Sequence, residues 1–553
     1  MKFRQLVLLG TIIGLFGSVL PGCSVRPPQN DTDDKIKLPA QELTIAMYAE
    51  PPALDSSTAT ASPAITILNA IGEGLYRLNK DGKPEPGLAK ELPHISADGL
   101  VYTIPLREGL MWADGSPLKA GDFEFAYKRT LDPATKAKLA PMLVWIKGGS
   151  ELMKAKPEEL EAKKAALGVK AKDDKTLEIT LEKPVAFFTD QLSMPIFFPQ
   201  KPDFVKAQGD KYGSEAGAVL GAGPFKLEQW DHHQLMLVKN DKYWDAKNVK
   251  LGKVSVRIVK DAGEGLKLYG EDQIGLAELK GEQIAAYKGR QDVAVKREFV
   301  TAYILINQNP LYAPFLQNAK IRRALAASID TKQLADGLMG GVSVPAAGLV
   351  PLGIADGAGQ EFRKTAGETM SGFDPDKAKQ LLAEGLAEIG LTELPKFKLS
   401  ADDTEIAKKT VEFILAQWKT NLGIEVEGDP MPYAQRAQKM QDAKDFQALI
   451  ALWGADYNDP MTFLDPWLTD NKSFNYITYR SKPFDDLVKA ADKEADTARR
   501  ARLLVDAEKR LMEDMPLIPL YFRARPFAKK TNVEGLVLPA IAKEWELKWT
   551  YIK

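Results

Sequence analysis

Cysteine and histidine are nearly absent from this sequence of 553 residues. The single cysteine, Cys23, cannot form an intrachain disulfide, because a disulfide needs two cysteines. The three histidines, His94, His232 and His233, offer little material for an imidazole metal site. His232 and His233 adjoin a predicted strand, where neighbouring side chains point to opposite faces, so we interpret them as solvated. The sequence predicts no metal and no cofactor.

An excess of charge of either sign is also absent. Lysine and arginine total 74 and aspartate and glutamate total 75, which gives a net charge of −1. Nucleic-acid binding needs a basic surface, so we expect no nucleic-acid partner. Apolar residues make up 45% of the chain, which is typical of globular proteins and excludes disorder of the whole chain. The length predicts roughly three domains.

Common catalytic motifs are missing as well. The sequence contains no Gly-x-Ser-x-Gly, no His-Glu-x-x-His and no Gly-x-x-x-x-Gly-Lys-Ser/Thr pattern. The glycines at 221–223 and 340–341 lack the spacing of a dinucleotide loop and indicate turns. We therefore expect a protein that is not an enzyme. Because carboxylates are abundant, a hydrolase with paired acids stays open as an alternative.

The N-terminus has the layout of a secretory signal. Lys2 and Arg4 precede a mostly apolar run at 6–20, which is short for a membrane-spanning helix. The run ends in Leu-Pro-Gly-Cys, which resembles the lipobox of bacterial lipoproteins. In that motif cleavage precedes a cysteine that carries lipid, so the resemblance implies lipid attachment at Cys23.

These features predict the organisation of the N-terminus. Residues 1–22 are a signal peptide and residues 23–38 a flexible polar tether. The lipid would hold the protein on the extracytoplasmic face of the cell membrane. The alternative is a signal anchor with an unmodified cysteine.

Strand and helix patterns alternate through the rest of the chain. Period-2 alternation predicts strands at 43–47, 101–106 and 177–182, and a proline at 105 indicates an edge strand. Helices are predicted at 157–167, from the Asp-Pro at 374–375, and from 484 to about 512. No repeat of fixed period occurs. The pattern predicts a mixed α/β fold with several lobes.

One segment combines aromatic and acidic residues. An apolar run at 446–453 predicts a buried strand, which ends at Gly454 before Asp456 and Asp459. A carboxylate presented at the end of such a strand can bind a ligand ammonium group through a charge-assisted hydrogen bond. The alternative interpretation is that both aspartates only stabilise a turn.

This segment, Trp-Gly-Ala-Asp-Tyr-Asn-Asp-Pro at 453–460, resembles the ligand segment of the oligopeptide-binding proteins. They are the peptide branch of the extracellular solute-binding proteins (family 5, peptide/nickel branch) that serve ABC transporters. Further motifs resemble the family in the same order: Glu-Pro-Pro-Ala-Leu-Asp at 50–55, Ile-Gly-Glu-Gly-Leu at 71–75, Leu-Arg-Glu-Gly-Leu-Met-Trp-Ala-Asp-Gly-Ser-Pro at 106–117, Asp-Phe at 122–123, Gly-Ala-Gly-Pro-Phe at 221–225, Tyr-Trp at 243–244, Ile-Arg-Arg-Ala-Leu at 321–325 and Pro-Leu-Ile-Pro-Leu-Tyr at 516–521.

The resemblance implies a periplasmic-binding-protein-like fold of type II with three lobes that close on a ligand as a hinged trap. The implied boundaries are lobe I at 39–62, 195–306 and 522–553, lobe II at 63–194, and lobe III at 307–521. Hinges would fall at Ile306-Asn307 and Tyr521-Phe522.

The resemblance also implies roles for individual residues. Asp456 would hold the α-amino group of a peptide, and Trp453 would line a side-chain pocket. Glu50 lies in the loop that would face the ligand. The remaining ligand-binding residues implied are Gly454, Ala455, Tyr457 and Arg523.

The sequence departs from the family where other members place arginines for the ligand carboxylate. This chain has Ile450 and Gln441 there. Arg523 and Arg525 are candidates to replace them, and the alternative is that both are surface arginines near a strand end. The grip on the carboxylate, and with it the preferred peptide length, is therefore open.

We expect a monomeric, lipid-anchored receptor that captures oligopeptides and delivers them to the membrane permease of an ABC transporter. Nickel, a metallophore or a cell-wall peptide are alternative ligands, since the branch includes such binding proteins. A surface-anchored hydrolase on the same scaffold is the alternative of another class.

Overall fold

The computed structural model describes residues 39–80 and 82–553, except for the side chains of 442 and 443. The predicted signal peptide, Cys23 and the tether up to residue 38 lie outside the described residues. In the described part, no helix is both long enough and apolar enough to cross a membrane.

Strands form where apolar residues alternate, as in β1, whose Leu43, Ile45 and Met47 are buried. The strands are β1 (Glu42–Met47), β2 (Tyr76–Leu78), β3 (Pro84–Pro86), β4 (His94–Ile95), β5 (Val101–Pro105), β6 (Val169–Asp173), β7 (Thr176–Thr180), β8 (Phe225–Trp230), β9 (Gln234–Lys239), β10 (Lys253–Ile258), β11 (Leu276–Glu278), β12 (Val293–Ile306), β13 (Val344–Pro345), β14 (Phe397–Asp402), β15 (Val426–Met431), β16 (Ala448–Gly454), β17 (Leu517–Lys529), β18 (Val533–Glu534) and β19 (Tyr551–Ile552).

Helices alternate with these strands, so the predicted mixed α/β content is confirmed. They are α1 (Ser62–Ile71), α2 (Ala120–Leu131), α3 (Gly149–Met153), α4 (Leu160–Ala166), α5 (Phe188–Gln191), α6 (Pro202–Gln208), α7 (Ala262–Gly270), α8 (Glu282–Tyr287), α9 (Ala319–Ala327), α10 (Thr331–Gly337), α11 (Phe362–Ala366), α12 (Pro375–Glu388), α13 (Glu405–Leu422), α14 (Tyr433–Gln438), α15 (Met461–Leu464), α16 (Lys482–Lys493) and α17 (Thr497–Asp514). The predicted N-cap of α12 is present, because the Asp374 side chain accepts a hydrogen bond from the Lys377 N–H at 2.9 Å.

One prediction of local structure was wrong. β5 lies between β4 and β7 rather than at a sheet edge. Pro105 is tolerated because it is the last residue of β5 and pairs only with Thr176, beyond the end of the short β4. The helical pattern predicted from 484 to about 512 is confirmed. It is divided into α16 and α17, and Asp496 caps α17 by accepting a hydrogen bond from the Arg499 N–H at 2.7 Å.

Three larger sheets organise the chain from Gln41 to Lys553, which forms one compact unit. One sheet has the order β1-β10-β9-β8 and another the order β4-β5-β7-β6. The largest has the order β11-β17-β12-β16-β14-β15, with β13 also paired to β17. It is buried on both faces: Ala302, Ile304 and Ile306 of β12 pack with α9, α12 and α13, while Tyr303 and Leu305 pack with α11, α16 and α17.

β12 and β17 are the longest strands, and their pairing is interrupted midway. The register between them shifts after Arg297 and resumes at Thr301, so three residues of β12 lie opposite one residue of β17. β12 begins to pair with β16 only at Val300. This irregular stretch, 298–300, lies near the predicted hinge at Tyr521-Phe522. The other predicted hinge, Ile306-Asn307, lies at the C-terminal end of β12. The lobe boundaries stay predictions.

Candidate functional site

β16 carries the predicted ligand segment to the irregular stretch of β12. Its last residue, Gly454, pairs with Val300, and a Cβ on Gly454 would lie only 3.3 Å from the Val300 side chain. The Ala455 N–H then donates a hydrogen bond of 2.8 Å to the Phe299 carbonyl oxygen. The segment therefore leaves the sheet where the pairing of β12 and β17 is interrupted.

Thr462 fixes the turn that follows β16. It is buried, and its hydroxyl oxygen accepts a hydrogen bond from the Asp456 N–H at 3.2 Å. Its carbonyl oxygen accepts one from the indole N–H of Trp453 at 2.8 Å. The Trp453 ring also meets Phe474 edge to face at 5.3 Å. One residue thus positions both Trp453 and Asp456.

Asp459 has a structural role in the same turn. Its carboxylate is buried and binds the Arg500 guanidinium through two hydrogen bonds of 2.6 and 2.8 Å. It also accepts a hydrogen bond from the Met461 N–H at 3.0 Å. For Asp459, the interpretation as a turn-stabilising residue is therefore the one that the contacts support.

Asp456 differs from Asp459, because no cation pairs with its carboxylate in the described part of the chain. The residue is exposed to solvent, and the protein around it partly desolvates its carboxylate. This desolvation raises the pKa of Asp456 from 3.8 to about 6. The arrangement suits a cation that arrives from outside and replaces the lost solvent.

Other aspartates surround this position. Burial, followed by the charges of Asp456, Asp492 and Asp459, raises the pKa of Asp465 to about 8. Burial and the charge of Asp459 raise the pKa of Asp190 to about 6. Sequence reasoning missed Asp465 and Asp190, since no local pattern marks them and Asp190 comes from a distant part of the chain.

Residues from the predicted lobe II cover this acidic region. Phe187 stacks on Tyr457 with ring centroids 4.0 Å apart and planes 10° apart. Lys183 forms an ion pair with Asp492 and lies 4.7 Å from the centroid of the Trp145 ring. Predicted lobes II and III are thus in contact at Tyr457, directly beside Asp456.

Glu50 lies elsewhere, in the predicted lobe I. Its carboxylate is 3.2 Å from Nδ1 of His232, in the exposed turn between β8 and β9. The two residues border a cavity of about 450 Å³ whose further lining residues are Pro51, Pro52, Ser214, Trp230 and Asp231. In the described residues no contact joins Glu50 to Asp456, so the structure does not bring these two predicted ligand-binding residues together.

Arg523 and Arg525 lie on β17, and neither is a simple surface arginine. Nε of Arg523 donates to Glu298 at 2.5 Å, whereas Arg525 contacts Glu278, Glu298 and Glu544. At the positions where the family places arginines, Ile450 is packed in the sheet core and Gln441 is exposed. Among the described residues, no group of three His, Cys, Asp or Glu side chains could hold a metal ion.

Breaking the buried ion pair between Arg500 and Asp459 should strongly destabilise the folded protein. Arg500→Leu leaves the Asp459 carboxylate buried without its partner, so we expect the free energy of unfolding to fall by about 3–5 kcal/mol. Urea unfolding measures the loss. The control is Arg499→Leu, since Arg499 is exposed and its pair with Glu494 should contribute less than about 1 kcal/mol. Equal stability of the two variants would contradict this role.

Replacing Asp465, in contrast, should stabilise the folded protein, by an amount that depends on pH. Its pKa is about 8 in the folded protein and about 3.8 when unfolded, so its contribution to stability falls as pH rises from 3.8 to 8. Asp465→Asn removes the buried charge and should stabilise the protein by about 1–3 kcal/mol at pH 8. Near pH 4 the gain should vanish in urea unfolding. Asp470→Asn, at an exposed aspartate, is the control. A gain that does not depend on pH would refute the assignment.

Comparisons with known proteins agree with this architecture. The family described as bacterial extracellular solute-binding proteins, family 5 Middle, matches residues 83–475. The dipeptide-binding protein DppE of Bacillus subtilis is 32% identical over 552 residues, covering 99% of each chain. The oligopeptide-binding protein OppA of the same organism is 30% identical over 554 residues, covering 96% of each.

A solved structure confirms the predicted periplasmic-binding-protein-like fold. OppA of Listeria monocytogenes, described as bound to peptide, superposes with a TM-score of 0.74 at 35% identity. The match covers 93% of this chain and 99% of that one. Family match, full-length identity and shared fold agree, and this chain belongs to the bacterial extracellular solute-binding proteins of family 5.

Proposed function

We propose that the protein captures peptides between its lobes, holds their α-amino group at Asp456, and delivers them unchanged to the permease of an ABC transporter. The observation that carries this proposal is the Asp456 carboxylate, which is desolvated and has no cation partner in the described residues. An α-ammonium group would supply the missing charge and three hydrogen-bond donors. The names of the relatives, dipeptide- and oligopeptide-binding proteins, support the same ligand class.

The surroundings of Asp456 support an ammonium ligand in preference to an anion. The positive charges of Arg500 and Lys183 are matched by Asp459 and Asp492. The carboxylates of Asp456, Asp465 and Asp190 form no ion pair in the part of the chain that the structure describes. The region therefore has an excess of negative potential. Tyr457 and Phe187 exclude water beside it, which strengthens electrostatic attraction.

Asp456→Asn tests the anchor. Loss of one partner of a buried charge pair costs about 3–5 kcal/mol, so peptide affinity should fall about a hundredfold or more. Because the carboxylate must be ionised, wild-type affinity should weaken as the pH falls below about 6, and the variant should lack this dependence. Calorimetry with peptides that copurify with the protein measures both, and mass spectrometry establishes that they are recovered intact.

The matched control for this anchor is Asp470→Asn, which changes an exposed aspartate. N-acetylation of the peptide should weaken binding to the wild type as strongly as Asp456→Asn does. It should weaken binding to Asp456→Asn little further. Unchanged affinity of the variant, or an equal loss for the control, would refute the role of Asp456.

We further propose that the protein is anchored by lipid on Cys23 at the extracytoplasmic face of the membrane. The support is the sequence, in which a short apolar run ends in Leu-Pro-Gly-Cys before a polar segment. Cys23→Ser should move the protein from the detergent phase to the aqueous phase in detergent partitioning of expressing bacteria. Retention of the variant in the detergent phase would show that another segment anchors the chain.

A further inference from the structure

Two side chains form an ion pair across the contact between the predicted lobes II and III. Lys183 follows β7 in the predicted lobe II, and Asp492 lies on α16 in the predicted lobe III. In the described residues, no other ion pair and no main-chain hydrogen bond joins these two lobes. The pair is therefore a discrete connection between parts of the chain that are 309 residues apart.

Lys183 is held in place from within its own lobe. The Glu182 N–H donates a hydrogen bond of 2.8 Å to the Trp145 carbonyl oxygen, which brings Trp145 next to Lys183. Nζ of Lys183 lies 4.7 Å from the centroid of the Trp145 ring, at a distance where a cation–π interaction stabilises it. Trp145 therefore restricts the positions that the flexible lysine side chain adopts.

Asp492 is placed unfavourably for its own helix. It is the penultimate residue of α16 (Lys482–Lys493), where the helix dipole disfavours a negative charge. The ion pair with Lys183 offsets this cost. The side chains of Lys183 and Asp492 are 33% and 37% exposed, so the pair can break and form in contact with water.

A row of aromatic rings connects this ion pair to the acidic region. The Trp145 ring meets Phe187 edge to face, with centroids 6.1 Å apart, and Phe187 stacks on Tyr457. Tyr457 packs against the hydrophobic cores of both predicted lobes and adjoins Asp456 in the sequence. The ion pair therefore also helps to hold Phe187 over the acidic region.

The contact between the two lobes is incompletely packed. A cavity of about 320 Å³ lies beside the ion pair and is lined from both lobes, by Trp145 and Phe187 on one side and by Asp492 and Thr497 on the other. Separation of the lobes at this place breaks discrete contacts rather than a continuous core. Such a contact can open and close reversibly.

We propose that Lys183 and Asp492 form a clamp that holds the predicted lobes II and III together over a bound ligand, with Trp145 as the residue that positions Lys183. This inference rests on the proposed capture of peptides between the lobes. When the lobes separate, the ion pair breaks and both charges are solvated, and when they close it forms again. The clamp stabilises the closed state without recognising the ligand, so it slows the release of peptides regardless of their sequence.

Two double variants that conserve the net charge test the clamp. Charge must be conserved because the positive charge of Lys183 also acts on Asp465. Lys183→Met/Asp492→Asn removes the clamp, whereas Lys183→Glu/Asp492→Lys reverses its charges and keeps an ion pair. Each protein binds an isotopically labelled pool of random tetrapeptides, and mass spectrometry follows the release of this pool after dilution into unlabelled peptides.

The variant without the clamp should release the pool about three- to tenfold faster than the wild type, as expected for a partly exposed ion pair with a cation–π contact. Its association rate should change by less than about twofold, because the clamp forms after the first encounter. The reversed variant should recover most of the wild-type retention. High salt, which screens exposed charges, should reduce the difference between the wild type and the variant without the clamp.

Two further variants serve as controls. Lys489→Met/Asp470→Asn removes an exposed ion pair that lies within the predicted lobe III, and it should release the pool at the wild-type rate. Lys183→Arg keeps both the charge and the contact with Trp145, so it should also retain the wild-type rate.

A distance measurement tests the clamp without peptide. Nitroxide labels at Ala162→Cys on α4 and Ala490→Cys on α16, both exposed, report the separation of the predicted lobes by electron paramagnetic resonance. The background is Cys23→Ser, which removes the single native cysteine. Removal of the clamp should reduce the population with short distances, and the reversed ion pair should restore it.

The outcomes separate the clamp from the proposed function. Release at the wild-type rate by the variant without the clamp, or no recovery in the reversed variant, would overturn the clamp and leave peptide capture standing. If the wild type binds none of the pool, peptide capture is overturned. In that case a distance distribution that removal of the clamp leaves unchanged would overturn the clamp as well.

Discussion

The pairing of β12 with β17 is the constraint on which the rest of the structure depends. These two strands join β16, which carries the predicted ligand segment, to β11 at the edge of the same sheet. Their pairing is interrupted at 298–300, and its register shifts once more between Ala302 and Tyr303. A strand pair with a local break transmits position well along its regular parts and allows a bend at the break. Closure of lobes around a ligand needs such a place.

The candidate site uses this break twice. On one side, Gly454 ends β16 next to Val300, and the turn that follows carries Asp456. On the other side, Nε of Arg523 donates a hydrogen bond to Glu298. Arg523 lies opposite the irregular stretch itself, and Asp456 lies in the turn just past the end of β16.

Local structure was largely predictable from the sequence, and the errors have local physical causes. Alternation predicted β1 and β7, and an Asp-Pro pair predicted the start of α12. Pro105 was placed at a sheet edge because a proline cannot donate to a neighbouring strand, but β4 ends before it and requires no donor there. The break before α17 was missed because the helical pattern continues on both sides of Asp496.

The candidate site was predictable only in part. Asp456 was identifiable from its segment, whereas the desolvation that raises its pKa was not. That desolvation depends on tertiary packing, such as the stacking of Phe187 from the predicted lobe II on the neighbouring Tyr457. Asp459 looks like Asp456 in the sequence. Its structural role became visible only with Arg500, which lies 41 residues further on. Local sequence shows that a carboxylate is present, and tertiary contacts decide whether a protein cation neutralises it.

That distinction explains how one acidic turn can serve both stability and binding. A buried carboxylate with a bidentate arginine contributes to the folded state, because its desolvation is offset within the protein. A carboxylate that is desolvated without a partner destabilises the folded protein, and a cationic ligand can recover that free energy on binding. Asp459 belongs to the first kind and Asp456 to the second, three residues apart. The same reasoning applies with opposite sign on β17, where Arg525 is compensated internally and Arg523 only at its Nε. Affinity for a cationic ligand group at Asp456 would then come from a charge that the fold itself leaves uncompensated.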